Sequence, residues 1–325
     1  MLGSRTVRVL VAAVLTGYLL WISHPGDIAR AAASAAPRWL LWACALVLVD
    51  RTLMAWRWLL LLRPLTADAP PPLGGVLRVF FVSTFVGSFL PASVGSDAVR
   101  VVTVRRHAVP GASAVASVVM DRALGAVSTI LLGVVSLIAA GTALSPGATA
   151  ILVAGGVLSG LAAAVIFSDR LAAVASRVVA TLPGAWVRRA VQALLDAVRT
   201  YRHHHGALAA VLAASFGVQV LRVLQAWCLG MALGITAGLA IYFLAIPVIL
   251  LIMLLPITIN GLGTSQAAFL WLFGAAGTAR PAAFALSVLF VALGIVGNLP
   301  GGLLYVVGGA GRAGQVRSAS DARLS

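Results

Sequence analysis

Seven ionisable residues lie in or beside apolar segments, where charge is costly and points to function. Asp50-Arg51 follows Arg38 by twelve residues, roughly 18 Å along a helix, which places the pair near the middle of its segment. Asp121-Arg122 falls about nine residues into another segment, well below its end. Arg222 stands between Gln219 and Gln225 at i, i+3, i+6, on one helical face. Asp97-x-x-Arg100 closes the stretch FLPASVGSDAVR, and its i, i+3 spacing lets the acid aim the guanidinium at a phosphate. Sequence neighbours such as Asp121 and Arg122 do not face each other, so such pairs are expected to find partners on other helices. Arg51, Arg122 and Arg222 outnumber Asp50 and Asp121, and this surplus suits a cavity that receives an anionic headgroup. The competing reading is a structural network of interhelical ion pairs.

The elements that must position these charges include two broken ones. Leu90-Pro91-Ala92-Ser93-Val94-Gly95-Ser96-Asp97 is echoed 165 residues later by Leu255-Pro256-Ile257-Thr258-Ile259-Asn260-Gly261-Leu262-Gly263-Thr264-Ser265-Gln266. Proline removes a backbone donor and glycine permits unusual dihedrals. Pro91, Gly95, Pro256, Gly261 and Gly263 therefore predict re-entrant backbone, tolerated at membrane depth only beside protein or a wet cavity. Paired interruptions in two halves of a chain point to a transporter's central site and to an internal repeat. If helices restart at Ser96 and at Thr264 or Ser265, these residues cap them, and the free N–H groups favour an anion.

The composition agrees with a membrane location. The 325 residues are 61% hydrophobic and only 10% charged, with mean hydropathy +1.06, whereas soluble domains carry roughly 25% charged residues. Apolar segments at 7–23, 39–62, 113–141, 148–167, 206–232, 236–256 and 281–308 are long enough to cross. Residues 76–90 are too short for an untilted crossing, and 262–279 reads as either a short crossing or a re-entrant hairpin. The expected fold is an all-α polytopic integral membrane protein with about seven to nine membrane segments. It forms one unit over 1–311, followed by a short basic tail over 312–325. The first apolar segment is read as an uncleaved helix and not as a removed signal.

All 23 basic residues are Arg and all 8 acids are Asp, giving a net charge of +15. The placement of Arg predicts cytoplasmic N- and C-termini in the cell (inner) membrane. That requires an even number of crossings and favours counting 262–279 as a span. The polar interval 168–205 reads as a cytoplasmic connector. Trp186, Val187, Ala190, Val191, Leu194, Val198 and Tyr201 recur there at helical spacing, as in a helix lying on headgroups. His203-His204-His205 lacks further ligands nearby, so no metal is expected, and no cofactor either. Cys44 and Cys228 sit in apolar runs and read as small core residues. Asn298, beside Pro300 and Gly301-Gly302, reads as a helix–helix hydrogen bond.

Four motifs in order carry a resemblance: Arg57-Trp58, LPASVGSDAVR, Asp121-Arg122-Ala-Leu-Gly125 and LLPITINGLGTSQAA. With them, the chain resembles over nearly its whole length the lysylphosphatidylglycerol synthase transmembrane-region family. That family includes the flippase-like membrane domain of multiple peptide resistance factors. The resemblance implies handling of an aminoacylated or other phospholipid, with synthesis left to a separate soluble aminoacyl-transferase domain. Two departures matter: Gln266 stands where the family usually has Glu, and Asp121 where Glu is common. Gln266 cannot ionise, so any proton or cationic headgroup held by that Glu would fall to Asp97 or Asp121.

The expected function is movement of an anionic or aminoacylated phospholipid, or a lipid-linked intermediate, between leaflets. Asp97, Arg100, Asp121, Arg122, Asp50, Arg51, Arg222 and Gln266 are the expected substrate contacts. An integral-membrane transferase or phosphatase is the alternative. No nucleophile–base grouping is seen, and His107 near Asp97 and Arg100 is the nearest approach to one. A third alternative is an accessory subunit acting through 168–205. Expected partners are membrane lipids with anionic headgroups and, as an option, a second copy of the chain. Nucleic acid is not expected, because the arginines flank apolar segments and form no solvated patch.

Overall fold

In a computed structural model the described residues are 26, 33, 35–66, 71–88, 94–105, 111–140, 147, 149–150, 153–157, 168–181, 184–254 and 263–321. Every element among them is helical: α1 (Pro37–Leu62), α2 (Leu73–Gly87), α3 (Val94–Arg105), α4 (Gly111–Ala140), α5 (Asp169–Ala180), α6 (Ala185–Arg199), α7 (His205–Ala232), α8 (Leu239–Leu254), α9 (Thr264–Ala275) and α10 (Arg280–Asp321). Short 3₁₀ turns, Arg63–Leu65 and Thr200–His203, follow α1 and α6. Four helices are long and apolar enough to cross a membrane: Pro37–Leu65, Ser113–Ala139, His205–Ala232 and Arg280–Val306. The segment expected at 7–23 lies outside the described residues, as does most of 148–167.

Contacts between helix ends fix the helix directions. Ala36 N–H donates to Ala232 O at 2.8 Å, while Tyr201 Oη donates to Leu61 O at 2.8 Å, so α1 and α7 are antiparallel. The arginine-rich face of the molecule is the one where α1 ends, beside Arg63, and α7 begins after Arg202. α4 runs with α7 away from that face: Ala114 clusters with Leu62, and Asp121 meets Arg57 farther in.

α2 and α3 form a hairpin that enters and leaves by the arginine-rich face. Val76 and Val104 share a cluster with Leu62. At the inner end, Gly87 lies so close to Ser96 that a Cβ there would come within 2.3 Å of the Ser96 Cβ. At 15 and 12 residues, roughly 22 and 18 Å, neither helix spans a hydrocarbon core of about 30 Å.

α8 and α9 form a second hairpin from the opposite face. Tyr242 and Phe273 pack edge to face at 5.0 Å near the outer ends of the two helices. Phe269 then meets Phe290 of α10 at 5.5 Å, and α10 runs back to the arginine-rich face. Residues 264–275 are therefore half of a hairpin and not a separate span, which corrects the parity argument for 262–279. The segment 236–256, expected to cross alone, is the other half. Residues 89–93 and 255–262, with Pro91, Pro256 and Gly261, lie outside the described residues.

α10 is joined to the first hairpin through glycine. A Cβ on Gly301 would sit 1.9 Å from the Phe81 carbonyl oxygen, and one on Gly302 would sit 2.9 Å from the Phe85 ring. Only glycines permit this approach of α10 to α2. The interval 168–205 holds two helices, not one. Tyr201 and Val198 are buried, and α6 packs on α4, so its end docks on protein and not on headgroups. The exposed apolar stripe belongs to α5: Leu171, Val174 and Val178 at i, i+3, i+7. Asp169, at the start of α5, pairs with Arg199 and Arg202.

Candidate functional site

Two charged centres occupy the interior, both built on α1. In α1, Asp50 and Arg57 stand at i, i+7, two turns apart on one face, so both charges are delivered toward α7. The first centre surrounds Asp121 of α4, which is 1% exposed. One carboxylate oxygen accepts from Arg57 Nε at 2.7 Å and the other from Arg100 Nη1 at 3.1 Å. Arg57 Nη1 also donates to Ser215 Oγ on α7 at 3.1 Å. Arg100 lies over the Phe80 ring at 4.3 Å and the Trp58 ring at 5.4 Å, two cation–π contacts that suit a dry site. Four helices are thereby tied to one carboxylate.

Asp97 and Arg122 sit beside this centre and pair through two contacts, Nε to Oδ2 at 3.0 Å and Nη2 to Oδ1 at 3.2 Å. The pairing is crossed: each acid of α3 and α4 takes the arginine of the other helix. Asp97 thus does not aim Arg100, contrary to the i, i+3 expectation, because Asp121 lies nearer to that guanidinium.

The second centre surrounds Asp50, also 1% exposed. Arg51 Nη1 donates to Asp50 Oδ2 at 2.9 Å, so these sequence neighbours do meet: the long Arg51 side chain folds back to reach the shorter acid. Arg51 Nε donates to Asn298 Oδ1 at 3.1 Å, and Asn298 Nδ2 to Ser88 Oγ at 2.8 Å. Arg222 Nε approaches Asp50 Oδ1 at 3.5 Å, yet that oxygen has no hydrogen-bond partner. The other Arg222 contacts are weak: Gln219 Oε1 at 3.5 Å and, at 3.3 Å, the Met54 sulfur, a poor acceptor.

A cavity of about 260 Å³ opens on the Asp50 centre, lined by Arg51, Arg222, Asn298, Ser88 and Met253 among others. Ser88 caps the inner end of α2 and Met253 lies near the inner end of α8, so both hairpins contribute. A smaller cavity of about 110 Å³ opens on the Asp121 centre, lined by Arg57, Arg100, Arg122 and Gln219. Arg222 and Leu250 line both cavities.

The family model described as the lysylphosphatidylglycerol synthase TM region matches residues 6–301. The chain belongs to this family. No curated protein and no solved structure matches it.

Seven of the eight residues expected in this family member's site fall on the two centres: Asp50, Arg51 and Arg222 on one, Arg100, Asp121, Arg122 and Asp97 on the other. Gln266 does not. Its Oε1 accepts from Gly263 N–H at 2.5 Å and from Ser265 Oγ at 3.0 Å, which closes the first turn of α9. Gly263 takes φ +86°, the left-handed backbone expected of it. Gly95 instead lies inside the first turn of α3, which starts at Val94, so neither it nor Ser96 marks the break. Arg57, Ser88 and Met54 are site residues that the sequence reading did not select. The i, i+7 spacing of Asp50 and Arg57 was the available signal for the first. His203, His204 and His205 lie outside both cavities, and no cluster of metal ligands occurs among the described residues.

Proposed function

We propose that this membrane protein moves an anionic lipid headgroup between leaflets of the cell membrane, with the arginine-rich face toward the cytoplasm. The observation that carries the reading is an arginine surplus on two adjoining cavities within the spans. A headgroup phosphate is the natural counter-charge for guanidinium groups held in low dielectric. The opposed hairpins supply the route. Each breaks the bilayer thickness into a shorter path, and the ends of α2 and α8 meet the larger cavity. The acyl tails remain in the bilayer while the headgroup passes Arg122, Arg222 and Arg51. A family whose members include flippase-like membrane domains supports the same reading.

The test is headgroup exposure in proteoliposomes, using phosphatidylglycerol with a headgroup-attached fluorophore and an impermeant quencher. The wild-type chain is expected to raise the quenchable fraction above that of empty vesicles. Arg122→Ala and Arg222→Ala are expected to lower the rate by at least about tenfold, the effect of losing one charged hydrogen bond. Unchanged rates in both variants would remove these residues from the path.

A further inference from the structure

The charge balance of the two centres specifies more than an anion. Five arginines (51, 57, 100, 122 and 222) face or pair within the two cavities against three aspartates, 50, 97 and 121. Two positive charges are left over, and each centre carries one of them. Arg51 and Arg222 exceed Asp50 by one; Arg57, Arg100 and Arg122 exceed Asp121 and Asp97 by one. The remaining acids of the sequence are Asp27, Asp68, Asp169, Asp196 and Asp321, all outside the apolar segments. Among the described residues the protein therefore supplies no further counter-charge beside these arginines, where an uncompensated ion costs several kcal/mol.

Resting on the reading above, we infer that the substrate headgroup carries two phosphoryl groups, one for each cavity, with Arg222 shared between them. One phosphodiester neutralises one centre and leaves the other charged, and a single phosphomonoester, though close to a dianion at neutral pH, reaches only one cavity; two phosphoryl groups reach both. The smaller cavity, about 110 Å³, has room for a single phosphoryl group, and the larger, about 260 Å³, for a second with its substituent. Donor supply agrees. Arg57 is committed to Asp121 and Ser215. Arg100 Nε, by contrast, is buried without a partner, and Arg222 makes only contacts of 3.3 to 3.5 Å. Arg222 lines both cavities, so one planar guanidinium can present different edges to two phosphoryl groups. The shared chemistry is two linked phosphoryl groups, which lipids carry either as a diphosphate or as two phosphodiesters joined through glycerol.

The purified full-length chain in nanodiscs of neutral lipid would be titrated with matched pairs of probes. Farnesyl diphosphate against farnesyl monophosphate reports the diphosphate source. Cardiolipin against phosphatidylglycerol, each at a low mole fraction, reports the bridged source. The inference expects the two-phosphoryl member of at least one pair to bind at least about tenfold tighter. The pair that shows the preference names the source. Arg222→Gln is expected to bring the ratio close to one, while Arg222→Lys, a point charge without two edges, restores only part of it. A thermal melt of each variant separates lost binding from lost folding. Equal affinity within both pairs, with Arg222→Gln weakening every probe alike, overturns the two-phosphoryl inference and leaves the anionic-headgroup reading standing. No binding of any probe by well-folded wild-type chain overturns both.

Discussion

The Asp121 centre and the Asp50 centre contain the same chemistry, a buried carboxylate between two arginines, but in different states of completion. Around Asp121 both oxygens are satisfied at 2.7 and 3.1 Å by partners from two other helices, and Arg57 links on to a third through Ser215. Around Asp50 one oxygen is orphaned, one arginine stands at 3.5 Å, and the cavity is more than twice as large. A carboxylate with both oxygens satisfied fixes helices; one with an orphaned oxygen and loosely held arginines has more capacity for a ligand. The same residue types thus serve mainly as framework around Asp121, where Arg100 Nε is the donor left unspent, and mainly as receptor around Asp50.

The largest expected effect attacks the framework. Asp121→Ala leaves Arg57 and Arg100 buried without their anion and should cost about 3–5 kcal/mol, read as a fall in the melting temperature in detergent. Asp50→Ala should cost less, about 1–3 kcal/mol, because Arg51 keeps Asn298 and both arginines reach the cavity. Equal losses would erase the contrast between the centres. Smaller again is Asp97→Asn: its pair with Arg122 is 39% exposed on the arginine side, so stability should change by at most about 1 kcal/mol. Headgroup translocation should still slow, since Arg122 loses its aim.

The smallest effect lies in the polar interval 168–205. The hydrogen bond from Arg202, with the nearby charges, holds the Asp169 carboxyl below the ordinary carboxylate range. A depressed folded value means the tether is intact above the unfolded value and lost as pH falls through the folded one. Hydrogen exchange in α5 should therefore accelerate under acid conditions, with exchange in α7 unchanged. Asp169→Asn should show the fast exchange at neutral pH.

Composition and apolar run length were enough to read the fold class, because a helix in lipid must satisfy its own backbone and leaves a long apolar record. The charged residues were legible one at a time for the same reason: each is an exception within such a run. Their pairings were not. Arg100 meeting Asp121 while Asp97 meets Arg122 depends on how α3 lies against α4, and no spacing within one helix encodes that. Arg57 stands in the sequence as a motif residue at the close of an apolar run, and only the helical face it shares with Asp50 points to the interior. Gln266 was assigned to the site by analogy with an acid, whereas an amide three residues after a glycine start closes its own helix turn. The hairpins were half legible. Pro and Gly marked the interruptions, but the faces to which the chain returns follow from contacts such as Tyr242 with Phe273.

The Gly301-Gly302 contact has a mechanical consequence. Two glycines present no ridge to lock into a groove, so α2 rests on α10 as on a plain bearing, with the Phe81 carbonyl and Phe85 ring against bare backbone. The contact brings backbone against ring and carbonyl with no side chain between them. The Ser88–Asn298 hydrogen bond, one turn away, acts as the latch. The same Asn298 holds Arg51. An anion that draws Arg51 away loads the latch directly, and the α2 end of the hairpin can then shift only about the anchor that Arg100 and Asp97 of α3 make with Asp121 and Arg122.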